Sequence, residues 1–84
     1  MTNNKDKTIT IYVNTRPHDW ENKDKISFEE VVVLAFGSYS NNESIVYTVN
    51  YTKGQNNHEG SLVKGHEVAV KDGIIFNVTQ TNKG

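Results

Sequence analysis

The residue best placed for chemistry is Gly84, at the C-terminal end of the sequence. Glycine carries no Cβ, so a terminal glycine carboxylate fits a narrow enzyme channel that a larger residue would block. Such a carboxylate is a candidate acyl donor once another protein activates it, because a free carboxylate lacks a leaving group. Asn82 and Lys83 precede it and are the residues a partner would grip while handling the tail. Chemistry within the domain itself has weaker support. Cysteine is absent, which removes thiol nucleophiles, disulfides and thiolate zinc sites. His18, His58 and His66 lack the paired spacing of a structural zinc site, and no metal site is expected. No Gly-x-Ser-x-Gly elbow surrounds a serine, and Gly54 and Gly60 bracket a loop without the pattern of a phosphate cradle. A chain of 84 residues also leaves little room for a pocket that excludes water. No catalytic residue and no cofactor is therefore assigned to the chain.

The length is that of one domain with one modest core. Nine Lys and Arg against ten Asp and Glu leave a formal net charge of −1, which argues against a nucleic-acid partner. No apolar run approaches the roughly 20 residues of a membrane span, and the polar start, residues 1–7, lacks a secretory signal. The expectation is a cytoplasmic domain without a membrane partner.

The elements that must present the tail are readable in order. Residues 1–7 read as a disordered lead. Thr8 to Asn14 alternates with period two, placing Ile9, Ile11 and Val13 on one face and Tyr12 on the other, a half-buried strand. Asn14 to Pro17 supplies turn residues, and His18 to Trp20 returns as a short strand with Trp20 as a core anchor. Ser27 followed by Glu30 is a capping box, flanked by Ile26 and Val31 as a hydrophobic staple. Phe28, Val31, Val32 and Ala35 then share a helical face, and Gly37 is placed for a left-handed cap. Ile45 to Thr52 and Glu67 to Val70 read as strands, with a shorter piece from Ser61 to Gly65. Lys71-Asp72-Gly73 carries an Asp-Gly turn signal, so the last strand, Ile74 to Thr81, is expected to form a hairpin with Glu67 to Val70.

One amphipathic helix needs one sheet to cover it. With the first and last strands side by side at the centre, the reading is an α+β β-grasp fold: a mixed four- to five-stranded sheet on one helix, spanning residues 8–81, with 82–84 as an exposed tail. Strand parity turns Ile75, Asn77, Tyr12 and Val46 away from the helix, and apolar side chains on such a face suggest a partner-docking patch.

The segments Ile26 to Ala35, Tyr47 to Tyr51, Gly60-Ser-Leu-Val-Lys-Gly65 and Val70-Lys-Asp-Gly-Ile-Ile-Phe-Asn-Val-Thr79, in this order and spacing, resemble the bacterial multiubiquitin domain family, ubiquitin-like β-grasp domains. The resemblance covers residues 8–82. It implies a bacterial protein modifier whose Gly84 carboxylate is adenylated by an activating enzyme. The acyl group then passes to a conjugating enzyme and on to a target protein, from which a JAMM-type metalloprotease removes it. ATP, magnesium and zinc would belong to those partners, and some related operons act in defence against phage. The sequence departs from ubiquitin in ending on a single glycine preceded by Lys83. Two other readings share the fold: a non-covalent β-grasp protein-binding module, and a sulfur carrier with a C-terminal thiocarboxylate.

Overall fold

The computed structural model describes residues 8–21 and 25–83. The polar lead, residues 1–7, and Gly84 lie outside the described residues. Among these residues, seven strands and one α-helix follow in the order β1 (Ile9–Val13), β2 (Arg16–Trp20), β3 (Lys25–Ser27), α1 (Phe28–Phe36), β4 (Ile45–Thr52), β5 (Gly60–Leu62), β6 (Glu67–Ala69) and β7 (Ile75–Asn82). Five strands form a mixed sheet in the order β2-β1-β7-β4-β5, and β3 pairs with β6 in a separate ribbon. One helix held by a mixed sheet with a parallel β1–β7 pair at its heart is the α+β β-grasp arrangement.

The helix starts where its sequence signals place it. Ser27 Oγ accepts from the Glu30 N–H at 3.1 Å, and Glu30 Oε1 accepts from the Ser27 N–H at 2.9 Å, so two orphan donors are satisfied reciprocally. Ile26 and Val31 are both fully buried. At the other end Gly37 sits at φ 85°, a left-handed cap that donates to the Val33 carbonyl at 2.7 Å. Phe28, Val31 and Val32 pack on Ile11, Val13, Val49, Leu62, Ile74, Phe76 and Val78 from the sheet, while Val33 and Phe36 are exposed. Trp20, expected as a core anchor, is half-buried and packs against the margin of this cluster.

The β1–β2 hairpin turns on Asn14 and Thr15, at φ 53° and 72°. Two consecutive left-handed residues match the twist of the flanking strands, so the loop is shorter than the four residues the turn composition suggested. Pro17 consequently lies inside β2. A two-residue loop makes Val13 and Arg16 the bonded pair, which leaves the Pro17 nitrogen facing away from β1, at the margin of the sheet where proline is tolerated.

The expected hairpin between β6 and β7 does not form. β6 pairs antiparallel with β3, with Ile26 opposite Val68, and β7 lies between β1 and β4. The cause is where the Lys71–Gly73 turn spends its bonds. Asp72 Oδ1 accepts from the Thr10 N–H at 2.8 Å, and the Gly73 N–H donates to the Thr10 carbonyl at 2.7 Å. The turn is tied to β1, and burial of Val70 and Ile74 on either side of it sends β7 along β1 instead of back along β6. Among the described residues, no helix is long and apolar enough to cross a membrane.

Candidate functional site

β7 is the element that presents the tail, and it has two distinct halves. In the first, Phe76 and Val78 point into the core, as does Ile74 just before the strand, and all three are at most 4% exposed. β1 flanks this half on one side, with Tyr12 opposite Ile75 and Val13 opposite Phe76. Beyond Val13 the Asn14 N–H still donates to the Phe76 carbonyl at 2.9 Å, and from there the Asn14 side chain takes the place of the strand. Asn14 Nδ2 donates to the Val78 carbonyl at 3.0 Å, and the Val78 N–H donates to Asn14 Oδ1 at 2.8 Å. One carboxamide thus imitates a paired strand residue and satisfies both backbone groups of Val78. No local pattern marks Asn14 for this role, since asparagine in a turn is already accounted for by its tolerance of positive φ.

The second half of β7 runs beside β4 alone among the described strands. Thr79, Gln80, Thr81, Asn82 and Lys83 all have exposed side chains. Asn82, expected at the start of an exposed tail, is exposed in its side chain while its backbone lies opposite Ile45 within the ladder. The Lys83 N–H donates to the Ser44 carbonyl at 2.6 Å. The backbone is therefore tied to the sheet through Lys83, two residues further than the composition suggested, because backbone pairing needs no apolar side chain. Gly84 follows directly but lies outside the described residues.

The four residues assigned to the outward patch do not all meet. Tyr12 and Ile75 are directly opposite each other on β1 and β7, and Asn77 is two residues further along the same face of β7. Ile75 is half-buried, Asn77 is exposed and Tyr12 is 37% exposed. Val46 is equally open but pairs with Thr81, six residues along β7 from Ile75, or about 20 Å at strand rise. The structure groups Tyr12, Ile75 and Asn77 and leaves Val46 at the base of the tail.

Beside that base is an aromatic groove that the sequence pattern did not reveal. Tyr39 and Tyr47 lie 5.3 Å apart between ring centroids, with Phe36 5.9 Å from Tyr47 and Phe28 6.2 Å from Tyr39. The Ser40 N–H donates to the Tyr47 hydroxyl at 3.0 Å, fixing the loop over β4. Phe28, Tyr39 and Tyr47 help to line an open cavity of about 480 Å³ with Ile45, Val46 and Val63. Tyr51 instead packs on Phe76, at 6.2 Å. No cluster of three or more metal-ligating side chains occurs among the described residues.

The chain matches the protein-family model described as Multiubiquitin over residues 9–82. It belongs to the multiubiquitin family. That match spans every strand and the helix of this β-grasp domain, and the fold agrees with the ubiquitin-like architecture of the family. Comparison with curated proteins and with solved structures gives no match.

Proposed function

We propose that this multiubiquitin domain is a conjugated protein modifier whose acyl group is the Gly84 carboxylate, free at that residue or freed by cleavage after it. Family membership supports the reading. The observation that carries it is the course of β7, which leaves the core at Val78 and continues with exposed side chains to Lys83, immediately before Gly84.

The proposed chemistry is acyl transfer. A carboxylate oxygen of Gly84 attacks the α-phosphorus of magnesium-bound ATP on an activating enzyme, and pyrophosphate leaves. An enzyme nucleophile then displaces AMP and carries the acyl group to a conjugating enzyme. An amine or hydroxyl of a target protein finally displaces that enzyme. A JAMM-type zinc protease would reverse the last bond. The modifier supplies only a rigid body, a slender arm and a docking face, for which Tyr12, Ile75 and Asn77 are the proposed contacts; ATP, magnesium and zinc reside on the partners. Lys83 and Asn82 would line the entrance of the channel that takes Gly84.

The test is reconstitution with the activating enzyme, ATP and magnesium. The full chain is expected to support ATP–pyrophosphate exchange and to form covalent conjugates, whereas the chain lacking Gly84 does neither and melts at the same temperature. Undiminished exchange without Gly84 overturns the proposal. Tight binding to the enzyme with no exchange identifies a non-covalent module, and a sulfur-for-oxygen mass change at the terminus identifies a sulfur carrier.

A further inference from the structure

We infer that the acyl arm is longer than the last residues of the chain: the polar end of β7, Thr79 to Lys83, lies zipped to β4 at rest and peels away as one unit, hinging after Val78, when an enzyme takes the tail. The inference rests on the modifier reading and specifies the conformational step which that reading requires.

Three observations place the hinge. Val78 is the last residue of β7 in the core, at 4% exposure, and its backbone is gripped by Asn14 through two hydrogen bonds. Every side chain from Thr79 to Lys83 is exposed, although Gln80 and Asn82 share the parity of the buried Ile74, Phe76 and Val78. The described strand that accompanies this stretch is β4, since the β1 pairing with β7 ends at Phe76. Peeling Thr79 to Lys83 exposes no apolar side chain of its own and replaces ladder bonds by bonds to water. Peeling one residue earlier would break the Asn14 clamp and uncover Val78. The boundary between fixed and detachable strand is therefore sharp.

Reach supplies the need. The Lys83 N–H is held by Ser44, so the described strand stays on the sheet up to the residue before Gly84. A channel deep enough to shield an acyl adenylate from water must enclose several extended residues, and the body of the sheet is too wide to follow. Release of five residues adds about 17 Å of extended chain.

Native-state hydrogen exchange of the free chain tests the opening. The amides of Thr79, Thr81 and Lys83 are expected to exchange at least about 100-fold faster than those of Phe76 and Val78, at rates that low urea leaves unchanged. Protection of Thr81 and Lys83 equal to that of Val78 overturns the inference. A lock tests the function. Val46→Cys with Thr81→Cys places two thiols directly opposite each other on exposed positions of a chain with no native cysteine. Oxidation is expected to lower adenylation by the activating enzyme at least about 10-fold relative to the same protein reduced. Should that pair resist oxidation, Ile45→Cys with Asn82→Cys locks the adjacent rung. Equal adenylation of oxidised and reduced forms overturns the peeling arm but leaves the modifier reading intact. Failure of the unlocked wild-type chain to be adenylated overturns the modifier reading, and the exchange pattern still decides whether the strand end opens.

Discussion

Replacing Asn14 with glycine isolates the contribution of one carboxamide to the integrity of β7. Glycine accepts φ 53° at least as well as asparagine, so the turn is kept and only the side chain is lost. What disappears is the pair of bonds to Val78, at 3.0 and 2.8 Å, in a part-buried setting. At a net ~0.5–1.5 kcal/mol per bond, the loss is about 1–3 kcal/mol. A domain of this length holds roughly 4–13 kcal/mol in total, so a substantial share of the stability rests on one exposed-looking turn. The corresponding fall in Tm is about 8–16 °C for a mid-range loss of ~2 kcal/mol. Equilibrium urea denaturation with fluorescence of Trp20 measures the change, and the m-value should stay constant because the folded body is the same. Hydrogen exchange adds a residue-level reading: the Val78 amide, whose acceptor has gone, should join the fast-exchanging group. A change in stability smaller than ~0.5 kcal/mol, with Val78 still protected, would refute the clamp.

Three further substitutions probe the rest of the frame. Thr15→Gly should raise stability by about 1 kcal/mol in the same urea assay, because a β-branched residue at φ 72° is strained and Asn-Gly is the favoured pair for this turn. Ser27→Ala should lower stability by about 1 kcal/mol and reduce helical circular dichroism in the transition region, since it removes the acceptor of the Glu30 N–H. Ile75→Asp should slow transfer from the activating enzyme at least about 10-fold while lowering Tm by only a few degrees, because Ile75 is half-buried on the face turned from the helix; a fall in transfer wholly explained by unfolding would remove Ile75 from the docking face.

The sequence signals worked where the physics is local. The capping box of Ser27 and Glu30, the staple of Ile26 and Val31, and the Gly37 cap each act within one turn of helix, and each is found as expected. Alternation likewise placed Ile74, Phe76 and Val78 inward and Ile75, Asn77 and Thr79 outward. Non-local partners were not legible. β3 is three residues long and finds its mate about 40 positions later, too short to show a period. Asp72-Gly73 has the composition of a hairpin turn, but its bonds run to Thr10, 62 positions away. Asn14 reaches Val78 across 64 positions through a side chain whose presence the turn alone would explain. Val46 and Ile75 share a face by parity, but only the register of β4 against β7 separates them along the sheet.

The proline in β2 has a consequence beyond its own turn. Pro17 points a ring nitrogen, incapable of donating, toward the solvent rim of the sheet. A second molecule approaching that rim meets an interrupted ladder and the carboxylate of Asp19 two residues on, so stacking of one domain onto the next is discouraged there. Copies crowded together in solution can then remain separate beads instead of fusing into a shared fibre.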